Sequence, residues 1–250
     1  MIVAEGASDQ GRVRKNNEDN FAVLPPPRLV SGLDSLLIVA DGMGGAQAGE
    51  VASGLAIQEL TRWFSADADR TLRGTDTDWP GELTDAVVHA NYVVRSTAVR
   101  DADKFGMGTT LVVAALVGDT LYVANVGDSR AYLVSDSTVY QITRDHSWVA
   151  EQVRAGAIAM SVARRHPRRN VLTRAIGVAD NVAPDVTPYE LMPGDHIVLC
   201  SDGLHGMVDD EEIRKVTTSC PPAVAVHSLI DLANERGAPD NVTAIVAQYR

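Results

Sequence analysis

The chain has 250 residues, 45% of them hydrophobic, enough to bury a substantial core without disulfide staples. Its 22 Lys and Arg against 33 Asp and Glu leave a formal charge of −11, which excludes a general nucleic-acid or anionic-membrane surface, since both need concentrated positive potential. Two cysteines, Cys200 and Cys220, are too few for a disulfide framework and form no CxxC pair, and the longest purely apolar run, residues 111–117, is too short to span a bilayer. The expectation is an untargeted cytoplasmic protein that does not associate with membranes.

Short apolar, β-branched runs predict strands at residues 2–7, 21–24 and 36–40. Helical spacing follows on Val51, Leu55, Leu60 and Phe64, and again on Leu83, Val87, Ala90, Val94 and Ala98. Further strands are predicted at 109–117, 121–126 and 131–134, with Gly118-Asp119 as a two-residue hairpin and Asp136-Ser137 turning the next pair, so this middle section reads as an antiparallel meander. A helix at 147–154, a strand at 197–200, helices at 209–217 and 222–235 and a strand at 242–246 complete the chain. No repeat and no long linker interrupts it, so residues 1–250 read as one α+β domain in which packed sheets are covered by helices.

Aspartates collect where strands meet loops: Asp41-Gly42, Asp128 after Gly127, Asp202-Gly203, and Asp240-Asn241 just before a strand. Any one Asp-Gly pair is a turn signal. Several at strand ends together point to oxygen ligands for a hard divalent cation such as Mg2+ or Mn2+. A nucleotide-loop reading of Gly42-Met43-Gly44-Gly45 fails, because GxGxxG needs glycine where Gln47 stands and a P-loop needs lysine where Glu50 stands.

In order and spacing, Ser8-Asp9-Gln10-Gly11-Arg12-Val13-Arg14 with Asn17-Glu18-Asp19, Ala40-Asp41-Gly42-Met43-Gly44-Gly45, Gly108-Thr109-Thr110, Asn125-Val126-Gly127-Asp128-Ser129-Arg130, Thr143-Arg144-Asp145-His146-Ser147, Ser201-Asp202-Gly203 and Asp240-Asn241-Val242-Thr243 resemble the bacterial branch of the type 2C metal-dependent protein phosphatases. The resemblance runs nearly end to end. It implies a layered α-β-β-α sandwich, two central antiparallel sheets flanked by helices, with a binuclear Mn2+ or Mg2+ centre at one end. On this resemblance Asp41 bridges two tightly held cations, the Gly42 carbonyl completes the second, Asp202 and Asp240 hold the first, and Asp128 with Asp202 matches a third, weaker site. Glu18 and Asp19 match positions that orient water, and Arg14 the position that receives phosphate, a task suited to a planar, always-charged guanidinium. The implied reaction is hydrolysis of phosphoserine and phosphothreonine in phosphoproteins, reversing a Ser/Thr protein kinase, by a water that two cations activate.

The remaining notable residues read structurally: Thr109, Thr110, Ser129 and Arg130 as supports of the acidic loops, His146 as a hydrogen-bonded packing residue, and Cys200 as an inert strand residue. Met43 departs from the many relatives that carry a proton-donating histidine there, because a thioether has no proton to give. Residues 156–186 match the family's variable flap and hold Arg164, Arg165, Arg168 and Arg169, a basic cluster suited either to docking phosphoproteins or to pairing with nearby acids. Competing functions are a catalytically dead binding domain of the same fold, disfavoured by the retained Asp41, Asp202 and Asp240, and a two-metal nuclease, disfavoured by the charge. The expected assembly is a monomer.

Overall fold

Leu36, Ile38 and Ala40 alternate with Leu37 and Val39 along one strand, and all five are buried. The first three pack against helices and the other two against a second sheet, so the strand has no solvent face and its sequence shows no polar alternation. That pattern gives the fold three apolar layers. The computed structural model describes residues 1–44, 48–67, 77–163 and 165–250, so Gly45, Gln47 and Arg164 lie outside the described residues.

In chain order the strands are β1 (Ile2–Asp9), β2 (Asp19–Leu24), β3 (Ser35–Met43), β4 (Gly108–Thr109), β5 (Leu111–Val117), β6 (Thr120–Val126), β7 (Arg130–Val134), β8 (Val139–Gln141), β9 (Asp185–Glu190), β10 (His196–Cys200) and β11 (Val242–Tyr249). One antiparallel sheet runs β2-β3-β5-β6-β9, with β4 on β3, and the other runs β1-β11-β10-β7-β8. Between them lie Leu37, Val39, Val112, Leu116, Leu121 and Val123 from the first sheet against Ile197, Leu199, Ile245 and Ala247 from the second. Truncating one such fully buried leucine to alanine typically costs about 2–5 kcal/mol.

The helices α1 (Ala48–Trp63) and α2 (Trp79–Arg100) cover the first sheet, while α6 (Asp210–Ser219) and α7 (Pro222–Glu235) cover the second. The shorter α3 (Trp148–Arg154), α4 (Met160–Ala163) and α5 (Asp202–His205) serve the loops at one end. Local chemistry fixes the helix starts: Asp78 accepts from the Gly81 amide at the head of α2, and Asp209 and Glu212 form a reciprocal capping box on α6. The expected layered α+β sandwich is therefore the fold. None of the helices among the described residues is long and apolar enough to cross a membrane.

Three expectations need correction. The middle section is not a single meander: β5 and β6 form the expected hairpin, but β7 belongs to the opposite sheet, so residues 127–129 are a crossover. The edge strand β9 was not legible, because Asp185–Glu190 is half exposed and carries Pro188, which disfavours a strand reading. On α1 the fully buried face is Ala52, Ala56 and Leu60, followed by Phe64, while Val51 and Leu55 pack against the same core from partly buried positions; in the first turn Gly49 lies against Gly42 of β3.

Candidate active site

Antiparallel pairing gathers the acidic residues at one end of the sandwich. Asp41, near the end of β3, stands opposite Asp19 at the start of β2. Asp202 opens α5 directly after β10, and Asp240 precedes β11, the antiparallel neighbour of β10. Asp128 sits in the crossover from β6 to β7, which ties the same end of both sheets together. Hydrogen bonds fasten this end: Ser201 Oγ donates to Asp19 Oδ2 at 2.8 Å, Thr110 Oγ1 and Ser129 Oγ lie 2.7 Å apart, and Arg14 Nη2 donates to Asp240 Oδ2 at 2.7 Å.

The Asp-Gly pairs are not turns. Gly42 is a strand residue, and a Cβ there would lie 2.2 Å from the Gly49 carbonyl oxygen and 2.6 Å from that of Glu18. Gly203 lies inside α5, where a Cβ would meet the Asn241 carbonyl oxygen at 1.9 Å. Glycine is required at both because another backbone passes alongside, and that close approach brings Asp41 towards Glu18 and Asp202 towards Asp240.

The backbone of Asp41 is clamped from three directions: its amide donates to Thr110 Oγ1 at 3.0 Å, and its carbonyl accepts from Thr109 Oγ1 and the Thr110 amide, both at 2.9 Å. Arg130 grips Asp145 through Nε and Nη2, and burial would raise that carboxyl, but the guanidinium outweighs burial and holds it below its ordinary range. His146 is buried and exchanges bonds with Gly127, whose amide reaches His146 Nδ1 at 3.2 Å. Its Nε2 stands 3.3 Å from Asp185 Oδ2. Cys200 is buried, and burial pushes its thiol up to about 12, which removes it as a nucleophile.

Four further residues do positioning work that was not read from the sequence. Asn241 donates to the carbonyls of Gln10 and Asn16 and accepts from the Glu18 amide, each at 2.9 Å, so it shapes the loop that carries Arg14. Ser201 links Asp19 to β11 by accepting from the Thr243 amide at 3.0 Å. His205 Nε2 lies 3.0 Å from the Asp128 carbonyl, and Ser53 Oγ donates to the Glu18 carbonyl at 2.6 Å. Asn241 and Ser201 adjoin metal-site candidates in sequence, a signal that could have found them; Ser53 had none.

The electrostatics single out this end. Burial first, then Asp19, Asp202, Asp128 and Asp240, push the Asp41 carboxyl well above its ordinary value. Asp19 rises to about 7 through burial, against hydrogen bonds from Thr243 and Ser201, and Asp128 rises to about 8 through burial and the charges of Asp202 and Asp145. Asp202 rises to about 6 through burial and Asp240, and Glu18 also rises through burial. Carboxylates that repel one another in a buried setting are a cation site in chemical terms. As the side chains stand, no group of three or more His, Cys, Asp or Glu among the described residues is arranged to hold a metal ion, and Arg14 engages Asp240. The fit to Mg2+ or Mn2+ rests on an all-oxygen donor set and on Asp19 Oδ1, which is buried without a hydrogen-bond partner.

The flap divides in two. From 171 onward it is pinned: Trp148 N donates to the Val171 carbonyl at 2.8 Å, Thr109 and Ile176 exchange backbone bonds, and Asn91 Oδ1 accepts from the Gly177 amide at 2.7 Å. Before that, Arg165, Arg168 and Arg169 are exposed; Arg168 lies over the Trp148 ring, and Arg169 helps to pull down the Asp202 carboxyl.

A family model for protein phosphatase 2C matches residues 4–242. The serine/threonine phosphatase stp of Listeria welshimeri is 38% identical over 98% of this chain and 95% of its own length. The crystal structure of the serine/threonine phosphatase Stp1 from Staphylococcus aureus superposes with a TM-score of 0.91 at 34% identity, covering 100% of this chain and 96% of that one. The catalytic domain of the serine/threonine protein phosphatase PstP in complex with two manganese ions superposes at 0.84 with 38% identity, covering 99% of this chain and 97% of that one. With that match over nearly its whole length, the chain belongs to the protein phosphatase 2C family, the metal-dependent serine/threonine protein phosphatases.

Proposed function

We propose that this single-domain enzyme hydrolyses phosphoserine and phosphothreonine in phosphoproteins at a binuclear Mn2+ or Mg2+ centre, acting as a monomer in the cytoplasm against a Ser/Thr protein kinase. Asp41 and the Gly42 carbonyl, with Asp202 and Asp240, hold two tight cations, and Asp128 with Asp202 holds a third, weaker one. The observation that carries this reading is the electrostatic convergence on Asp41, whose carboxyl feels Asp19, Asp202, Asp128 and Asp240 at once. Its two unpaired cysteines fit a reducing compartment.

When bound, the cations supply an activated water and neutralise charge on the phosphoryl oxygens. The protein's own groups do the rest. Arg14, half exposed at the rim, presents a planar fork of donors to two phosphoryl oxygens. Glu18 and Asp19 orient water beside the cation ligands. Arg164, Arg165, Arg168 and Arg169 concentrate positive charge on an otherwise acidic protein and favour substrates with acidic flanks; their pull on such flanks weakens as salt screens it.

Phosphate release from a phosphothreonine peptide tests the reading. Turnover is expected with Mn2+ and is expected to vanish in EDTA. Release that persists in EDTA, or cleavage of nucleic-acid phosphodiesters in place of the peptide, would overturn it.

A further inference from the structure

The segment from Asp145 to Trp148 reaches two places at once. On one side the His146 amide donates to the Gly127 carbonyl at 2.9 Å, next to Asp128 in the crossover. On the other, the Thr173 amide donates to the His146 carbonyl at 2.9 Å and the Trp148 amide to the Val171 carbonyl at 2.8 Å, which fixes where the flap returns to the body. Arg154 ties α3 to the same segment through the Asp145 carbonyl at 3.1 Å. The backbone thus anchors residues 171–173 to the body, whereas the backbone bonds of 165–169 among the described residues stay within the flap, Arg165 and His166 donating to the Val162 and Ala163 carbonyls and Arg169 to that of His166.

The side chain that meets that stretch is Trp148. His166 stacks on it with ring centroids 4.8 Å apart and planes 29° from parallel, and the Arg168 guanidinium lies 5.2 Å from its centroid. The Arg168 amide donates to His166 Nδ1 at 3.1 Å, so both partners of the tryptophan belong to one tight turn across Pro167. A partly buried indole with a flat ring and a cation on it is a specific contact, because the π face attracts the guanidinium and the stacked ring sets its orientation. Arg168 is thereby occupied, while Arg165 and Arg169 on either side of the turn remain exposed.

We propose that Trp148 is a positioning residue for phosphoprotein recognition: by holding His166 and Arg168 it latches the flap turn to α3, so that Arg165 and Arg169 face the substrate beside the carboxylate end. The inference rests on the phosphatase reading for its consequence, since a small aryl phosphate reaches the carboxylate end without needing the flap, whereas a protein substrate has to lie across it.

Two measurements on the full chain separate the latch from its consequence. In limited trypsinolysis, cleavage within residues 165–169 is expected to be several-fold faster in Trp148→Leu than in wild type, with Trp148→Phe close to wild type because a ring face is kept. In Mn2+ kinetics, Trp148→Leu is expected to raise KM for an acidic-flanked phosphothreonine peptide about five- to tenfold, with kcat for the peptide and both constants for p-nitrophenyl phosphate within twofold, and Trp148→Phe to restore most of the loss. Should Trp148→Leu fail to fold, His166→Ala, which removes the stacked ring at a half-buried position, is expected to give the same split. Unchanged proteolysis would overturn the latch. Faster proteolysis with equal losses on both substrates, or with no loss on the peptide, would overturn the positioning role. Wild type inactive on both substrates would instead defeat the phosphatase reading, and the proteolysis arm would still decide the latch.

Discussion

Arg14 and Asp240 satisfy each other across 226 positions of sequence, with Nη2 and Oδ2 2.7 Å apart. The pair joins the residue proposed to receive phosphate to a carboxylate proposed to hold a cation, and the arginine side chain keeps half its surface exposed to meet substrate. Arg14→Gln is expected to lower kcat/KM for a phosphothreonine peptide about 10- to 100-fold, the worth of charge-assisted hydrogen bonds to a phosphoryl group. It should not weaken Mn2+ binding, because Asp240 loses a competitor. Calorimetry showing weaker Mn2+ binding in this variant would contradict the assignment.

The raised carboxyls make the metal-free protein sensitive to base. Asp41 is held well above its ordinary value, Asp19 near 7 and Asp128 near 8, so the folded chain keeps protons that the unfolded chain gives up near pH 4. Their stabilising contribution is complete below the unfolded value and is lost as pH rises through the folded values. Burial lowers His146, His196 and His205, which pull the other way while the unfolded imidazoles titrate around pH 6.5 and have finished in both states above about pH 7.5. In EDTA, Tm is therefore expected to fall between about pH 7.5 and 9, as Asp41 and Asp128 lose their protons, and saturating Mn2+ to remove that fall. A Tm in EDTA that is flat or rising over this interval would count against the buried carboxyl cluster.

Close backbone approach at Gly203 gives a stability test that involves no metal. Gly203→Ala forces a Cβ to within 1.9 Å of the Asn241 carbonyl oxygen and should cost about 1–3 kcal/mol in urea unfolding. Gly54→Ala on α1 meets nothing nearer than Asn20 Nδ2 at 4.0 Å and should stabilise by about 0.5–1 kcal/mol. Equal effects of the two substitutions would show that the α5 approach is not tight.

Much of this architecture was legible because burial writes itself into periodicity. The helical face of α2, with Leu83, Val87, Ala90, Val94 and Ala98 buried, follows its 3.6-residue spacing, and α7 has the predicted bounds, Pro222–Glu235. What stayed hidden depends on partners distant in sequence. No local pattern tells that Val126 and Arg130 lie in different sheets, or that Pro188 sits on an edge where its missing amide does no harm. At the site, the aspartates were visible as residue types at strand ends, but the opposition of Asp19 and Asp41 is a matter of register, and the glycines beside Asp41 and Asp202 looked like turns until neighbouring backbones explained them. Trp148 carried no signal at all, because its partners His166 and Arg168 lie beyond local reach.

Asp128 belongs to the crossover, apart from the β3 and β10 ends that carry Asp41 and Asp202. Asp128→Ala is expected to leave two tight Mn2+ sites intact by calorimetry while lowering turnover about tenfold or more. Loss of the tight sites would move Asp128 into the binuclear set.

The central claim is that Asp41 serves both tight cations, and the decisive measurement is phosphothreonine-peptide turnover by a folded Asp41→Ala variant at saturating Mn2+, with Mn2+ stoichiometry measured on the same sample. The account predicts no detectable turnover and loss of tight binding, with a melting transition confirming that the chain is folded. Substantial turnover by that folded variant, with two Mn2+ ions still bound tightly, would contradict it.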